Sequence, residues 1–306
     1  MAILVSSFIL IALSQSARFL SQVEDILGTS TSLSLHSFLL STSGQKLEGV
    51  ISPGFDSWFD DCLFVYLDVG SNTGIQIRKV YEPELYPNDP AIQVYDRLFR
   101  RNRTADNNLC VVGFEANPHH TETLQRLEKA YQKKGWRVAI LTETAVDIEE
   151  GTTEFFFDKE AKPQNKEWGA STIPWQKSMK QPEAATVVRK LDLAKYVLDH
   201  VATRRLVPER YDTRKHLPLN VLMKMDIEGS EHKVLPHMIL TGALCTIGTI
   251  FYERHRMGEI TSGNVRDTDF IRFFQTFIKD YNSSCPTTFL SINNEVYGTT
   301  DFPLPV

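Results

Sequence analysis

Residues 63–74 read LFVYLDVGSNTG: a continuous apolar run, Leu63–Val69, followed by a turn that opens with Gly70 and closes with Gly74. A strand apolar on both faces belongs inside a parallel sheet covered by helices. Glycines at its carboxyl end let the backbone approach a ligand and adopt dihedral angles that other residues avoid. Downstream of the turn, Ile75, Ile77, Val80 and Tyr81 give the spacing of a helix.

The same alternation continues. Cys110–Glu115 (CVVGFE) reads as a second strand, and Asn117-Pro118 supplies a cap and an N1 proline for a helix carrying Leu124, Leu127 and Tyr131, closed by Gly135. Trp136–Leu141 is a third strand and Gly151–Phe157 an added strand or hairpin arm. Asp192 opens a helix, Asn220–Met225 is a fourth strand, and the helix from Gly229 is expected to break at Pro236. Thr246–Tyr252 is a fifth strand. A Phe-striped helix over Asp269–Tyr281 precedes a terminal hairpin, Thr287–Ile292 and Glu295–Thr299, around Asn293-Asn294. Tyr81–Pro90, with three prolines, is expected to be non-helical, with a short helix over Gln93–Arg101. Strands alternating with helices predict an α/β fold with helices on both faces of a mostly parallel sheet.

The 306 residues are 42% hydrophobic and 23% charged, which suits a globular chain and excludes a fibrous or disordered one. A formal charge of −5 argues against a nucleic-acid partner. The apolar run Ala2–Leu13, followed by Ser14, Ser16 and Ala17, has the length of a signal-peptide core rather than a membrane span. No basic residue precedes it, so a retained anchor or a buried amphipathic helix stays open. Residues 1–17 are therefore assigned to a signal peptide or signal anchor, the Ser/Thr-rich residues 18–55 to a stem or linker, and 56–306 to the folded domain. Entry into the secretory pathway (ER or Golgi lumen, or secretion) is the expectation, with an N-terminal membrane anchor as its variant.

The four cysteines, Cys62, Cys110, Cys245 and Cys285, lack the spacing of a zinc site. An even number permits two disulfides in three connectivities, although Cys110 and Cys245 sit in apolar runs where buried thiols are expected. Asn102-Arg103-Thr104 and Asn282-Ser283-Ser284 are glycosylation acceptors only in a lumenal protein. Arg204, Arg205, Arg210, Arg214 and Lys215 read as a solvated connector.

Three constellations carry chemistry. Asp68-Val69-Gly70-Ser71-Asn72-Thr73-Gly74 forms a ligand-binding turn, but Asn72 stands where a dinucleotide fingerprint has its central glycine, which disfavours NAD. Glu115 ends a strand, where a carboxylate accepts hydrogen bonds from two ribose hydroxyls. Lys224-Met225-Asp226-Ile227-Glu228-Gly229-Ser230-Glu231 brings three acids to the junction of the fourth strand and its helix. They could orient a hydroxyl, take its proton or bind a cation. Glu231 is read as a helix first-turn acid favoured by the dipole.

DVGSNTG, GFEANP and KMDIEGSE, in this order, resemble the FkbM family of S-adenosylmethionine-dependent methyltransferases over roughly residues 60–300. The resemblance implies a Rossmann-like class I fold: a seven-stranded, mostly parallel sheet ending in an antiparallel hairpin. It implies that Asp68, Gly70, Ser71, Asn72 and Gly74 line the cofactor's methionine and ribose, and that Glu115 holds the ribose hydroxyls. Ala145, Val146 and Asp147 would sit at the adenine, with Asp147 touching its amino group. Asp226 would lie near the transferred methyl with Glu228 beside it, and Trp168-Gly169-Ala170-Ser171 matches a loop close to the site. Ala116 departs from the family's proline, and the 41 positions from Gly74 to Glu115 contain an insertion that could form a lid or substrate wall.

His255, just past the fifth strand in Phe251-Tyr252-Glu253-Arg254-His255, is the best-placed general base, with Asp226 second. No metal is assigned. The expected activity is O-methylation of a hydroxyl on a glycan, sugar or other small acceptor. The alternative is a non-catalytic, methyltransferase-fold interaction protein of the secretory pathway.

Overall fold

The computed structural model describes residues 58–104, 108–157, 169–174, 178–180, 185–206, 220–253, 255, 285–291 and 303–304. All belong to the compact unit Gly54–Val306. The targeting and stem assignments, Trp168, the Asp269–Tyr281 helix and the second arm of the terminal hairpin lie outside them.

The central sheet has six strands. β1 (Phe64–Val69) is flanked by β2 (Leu109–Phe114) and β3 (Arg137–Leu141) on one side. On its other side lie β7 (Val221–Met225), β8 (Thr249–Tyr252) and β9 (Thr288–Ser291). All five pairings are parallel. Strand order therefore reverses at β1, where β2 lies on one side and β7 on the other, and open α/β sheets bind ligands outside the carboxyl ends at such a point. This is a Rossmann-like α/β arrangement. β9 extends the parallel sheet.

Alternate residues of β1 feed two cores. Val65, Leu67 and Val69 pack with the helix-borne Leu193, Val197, Val234, Leu235 and Met238 on one face. Phe64 and Tyr66 face Ile77, Val80, Tyr95, Phe99, Leu124 and Leu127 on the other. The second group sits on α1 (Ile75–Tyr81), α2 (Pro90–Phe99) and α3 (Thr121–Lys133); the first on α4 (Leu193–Tyr196), the turn after it, and α5 (Glu231–Leu240). Burial on both faces is why β1, β2 and β7 read as apolar runs, interrupted only by Asp68 in β1 and Lys224 in β7.

A second sheet, not anticipated as such, joins β4 (Thr144–Asp147), β6 (Ala185–Asp192) and β5 (Gly151–Phe156) in that order. β4 and β6 are parallel, β5 and β6 antiparallel.

Several expectations change. α2 begins at Pro90, three residues early, because Asp89 accepts the Ala91 amide at 2.8 Å and Pro90 occupies N1. α5 continues through Pro236, since the flanking Val234, Leu235 and Met238 are buried and their packing outweighs one missing backbone bond. All four cysteines are paired, Cys62 with Cys110 and Cys245 with Cys285, so the thiol assignment of Cys110 and Cys245 is overturned. Arg204 is no solvated connector residue: it is buried and donates to the carbonyls of Cys62 and Val201.

The insertion after α1 is packed down rather than poised as a lid. Lys79 pairs with Asp89 at 2.7 Å, both buried, and Arg78 with Glu82 at 3.0 Å; Tyr131 donates to Glu82. Arg103 donates to the Val80 carbonyl and to Asp96, both at 2.6 Å.

Candidate functional site

A cavity of about 280 Å³ opens at the carboxyl ends of the central strands, near the lower limit of small-molecule sites (~300–1,000 Å³). Its position follows from the switch point at β1. Gly70, with φ +85°, is required there: a Cβ would lie 1.9 Å from the Asp226 carbonyl oxygen. The turn after β1 is thereby pressed against the turn after β7, and Asp226 N–H donates to the Val69 carbonyl.

One end of the cavity is built from neutral dipoles. Glu115, leaving β2, is 7% exposed and accepts the Asn72 N–H at 2.6 Å on one oxygen and the Asn117 N–H at 2.7 Å on the other. A carboxylate offers about four acceptor positions, so two remain for hydroxyls of a ligand. Burial pushes its pKa up to about 7 despite the two amide donors. Asn117 uses its side chain to cap the following turn, accepting His119 N–H at 2.9 Å. Ala145 and Val146 from β4, Phe155 from β5 and Ala116 give this end apolar walls.

The other end is ionic. Asp226 and Glu228 line the cavity past β7, and His255, past β8, stands between them. His255 Nε2 lies 3.2 Å from Glu228 Oε2 and 3.7 Å from Asp226 Oδ1. Its Nδ1 is 2.7 Å from Oε1 of Glu231, a wholly buried side chain whose Oε2 accepts Gly229 N–H at 2.9 Å. The buried Lys224 ammonium donates to Asp226 Oδ2 at 3.1 Å and to the Gly70 carbonyl at 2.7 Å.

Burial disfavours a charged His255, but hydrogen bonds to and charges on Glu228 and Glu231 outweigh it and raise the pKa to about 11. Burial likewise pushes Asp226 up, and Lys224 with His255 more than reverses it, holding the carboxyl below its ordinary range. His255 thus carries its proton at neutral pH and cannot serve as a base in this state. The carboxylates lining the cavity at this end are Asp226, Glu228 and Glu253.

Of the predicted residues, Gly70, Asn72, Glu115, Ala145, Val146, Asp226 and Glu228 line the cavity, and His255 joins the last two. The rest have other duties. Asp68 is buried below the turn and accepts from the Tyr66 hydroxyl; the Ser71 hydroxyl donates to the Asp68 carbonyl. Gly74 starts α1 at φ +84°, where a Cβ would meet Leu127 at 2.5 Å. Asp147 pairs with Lys233 at 2.7 Å and accepts Ile148 N–H.

The loop Gly169–Pro174 contributes Ala170 and Thr172 to the lining. Ser171 pairs with Phe156 in an antiparallel bridge and donates to the Glu228 carbonyl at 2.8 Å, supporting that residue at φ +52°. The described residues of the Tyr81–Asn108 insertion do not line the cavity.

Sequence reasoning missed Glu231 as part of this cluster, together with Glu253, Thr172 and Ser230 on the wall. The signal for Glu231 was present in KMDIEGSE, but its partner His255 lies 24 positions away, past β8.

The chain was compared with protein-family models, with curated proteins and with solved structures, and matches none of them.

Proposed function

We propose that the chain is an S-adenosylmethionine-dependent methyltransferase of the FkbM type, acting on a hydroxyl of a glycan, sugar or other small acceptor. One observation carries this: Glu115, fixed at the end of β2 by two backbone amides, shares a nucleoside-sized cavity with the acids that follow β7. In this proposal the sheet gains a seventh, antiparallel strand from Glu295–Thr299.

Glu115 would accept the two ribose hydroxyls, and Ala145, Val146 and Phe155 would flank the adenine. Gly70 and Asn72 would border the amino-acid portion. S-adenosylmethionine, when bound, supplies a methyl group on a positively charged sulfur. The chain's own part is to align an acceptor hydroxyl with that methyl, which can account for much of the rate. The acceptor oxygen forms its bond to carbon as the carbon–sulfur bond breaks, the electron pair leaving with sulfur. The hydroxyl proton goes to Asp226 or Glu228, while His255, as imidazolium, holds Glu228 by a hydrogen bond and acts on Asp226 through its charge.

Two observations support a lumenal setting. Both cysteine pairs are oxidised, which suits an oxidising compartment, and Asn102 is exposed in its acceptor triplet. Among the described residues no helix is long and apolar enough to cross a membrane.

The test is incubation with methyl-labelled cofactor and a glycan extract. Label in an acceptor fraction, lost in Asp226→Ala, is the predicted outcome. Nucleoside binding with no transfer to any hydroxylated fraction would leave the non-catalytic alternative instead.

A further inference from the structure

We propose that Asp226, Glu228 and His255 form a binding site for one divalent transition-metal ion, which holds and acidifies the acceptor hydroxyl. This rests on the methyltransferase proposal only for the ion's role. The site itself rests on geometry.

The three donors come from different places, two past β7 and one past β8, and present one ligand atom each within 4.8 Å of one another. Donors held ~2.1 Å from a common ion lie ~3.0 Å apart at a right angle and ~3.4 Å apart at a tetrahedral one. The Nε2–Glu228 separation of 3.2 Å falls within that range, and the Nε2–Asp226 separation of 3.7 Å lies about 0.3 Å beyond it. The second is too long for a hydrogen bond. Lys224 donates to Oδ2 of Asp226, and Oδ1 is the oxygen that lies 3.7 Å from His255 Nε2.

The support around the ligands is that of a metal centre. A metal-bound histidine almost always donates its other ring N–H to a carboxylate or carbonyl, which fixes its tautomer and its orientation. Glu231 does this for His255: it is wholly buried, 2.7 Å from Nδ1, and anchored in turn by Gly229 N–H. Nε2 is thereby aimed at the two carboxylates, and a bound ion takes the place of its proton, which is released to solvent. The backbone of His255 is held as well, its carbonyl 2.9 Å from the His232 ring. Glu228 is fixed through the Ser171 hydroxyl on its carbonyl.

An imidazole among the donors favours Mn²⁺ or Zn²⁺ over Ca²⁺ or Mg²⁺, which prefer all-oxygen sets. Three protein ligands leave an octahedral ion with three open positions toward the cavity that Asp226 and Glu228 line. Two of them suit the neighbouring oxygens of a vicinal diol, and the acceptor class is accordingly narrowed to sugars and other polyols. The hydroxyl bound to the ion loses its proton more readily, as water does on such ions, and with Asp226 and Glu228 on the ion that proton passes to solvent in the cavity.

The experiment titrates the purified, disulfide-intact chain with Mn²⁺ after chelator treatment, following free Mn²⁺ by electron paramagnetic resonance, with Zn²⁺ as competitor. Uptake of one Mn²⁺ per chain is expected, displaced by Zn²⁺. Asp226→Asn and Glu228→Gln should each weaken it at least tenfold, and Glu231→Gln by about 10–100-fold. Asp199→Asn, an exposed residue paired with Lys195, should leave it unchanged. Glu228 is partly exposed, so its variant keeps the test usable if Asp226→Asn does not melt cooperatively. No stoichiometric uptake by the wild type, or undiminished uptake in Glu228→Gln, overturns the proposal. S-adenosylhomocysteine binding measured on the same samples separates the two claims. Nucleoside binding without metal uptake removes only the ion, and metal uptake without nucleoside binding removes only the methyltransferase.

Discussion

The two ends of the cavity hold their acids by opposite means. Glu115 is surrounded by dipoles and apolar walls, and its carboxyl is pushed up to about 7; Asp226 is flanked by an ammonium and an imidazolium, and its carboxyl is held down. Both side chains are largely buried, so burial alone does not separate them. What separates them is the charge of the partner. Backbone amides offset only part of the desolvation of a carboxylate, whereas a cation at 3.1 Å more than offsets it. An end made of neutral donors suits hydroxyl groups of a ligand. An end made of alternating charges suits proton transfer or an ion.

The contrast is most sharply broken at His255. In chelator-treated protein, His255→Gln leaves the buried Glu231 without its cationic partner, and we expect a loss of about 3–5 kcal/mol in urea unfolding at pH 7. Because the folded pKa of about 11 lies above 6.5, the stability His255 contributes is complete below pH 6.5 and declines as pH rises through 11. The wild type should therefore lose stability from neutral to alkaline pH, and His255→Gln should lack that slope.

Glu115 should act in a lower window. Its folded pKa, about 7, lies above 4.5, so the folded state retains a proton that the unfolded chain releases. Stability is complete below pH 4.5 and falls by about 3 kcal/mol as pH rises through 7. Glu115→Gln should flatten the slope between pH 5 and 7 and leave the alkaline one. If instead Glu115→Gln flattens the alkaline limb, the two ends are not independent.

Lys224→Met probes the cation beneath Asp226. A charge-assisted bond to a buried carboxylate is lost, with an expected cost of about 1–3 kcal/mol near neutrality. Asp226 has its folded pKa depressed, so its contribution is present above the ordinary carboxyl pKa and lost as pH falls through the folded value. Acid unfolding curves should show that loss in the wild type and much less of it in Lys224→Met. The smallest effect belongs to Asp147→Asn. Its partner Lys233 is about a third exposed, so the change should cost no more than about 1 kcal/mol in a thermal melt.

The same contrast marks how far the sequence could be read. Strands buried on both faces announce themselves as apolar runs, and acids at their carboxyl ends stand out against that background; Asp68, Glu115 and Asp226 were visible for this reason. Pairings across the fold were not. Glu231 in a helix first turn is equally well explained by the dipole, and nothing local in Phe251–His255 says that its imidazole meets that carboxylate. Asp147 follows the same limit, since its ion pair with Lys233 is an approach between β4 and α5. The second sheet went unread because β6, with Val187 well exposed and Val188 buried, lacks strict alternation. Disulfide partners likewise depend on strand neighbours: Cys110 lies in β2, beside β1, and Cys62 just before β1.

The most direct test of the cofactor assignment is isothermal calorimetry with S-adenosylhomocysteine on the wild type, Glu115→Ala and Asp147→Asn. One site per chain is predicted, weakened at least tenfold in Glu115→Ala and by no more than about twofold in Asp147→Asn. An absence of binding to the folded wild type, or equal affinity in Glu115→Ala, would contradict it.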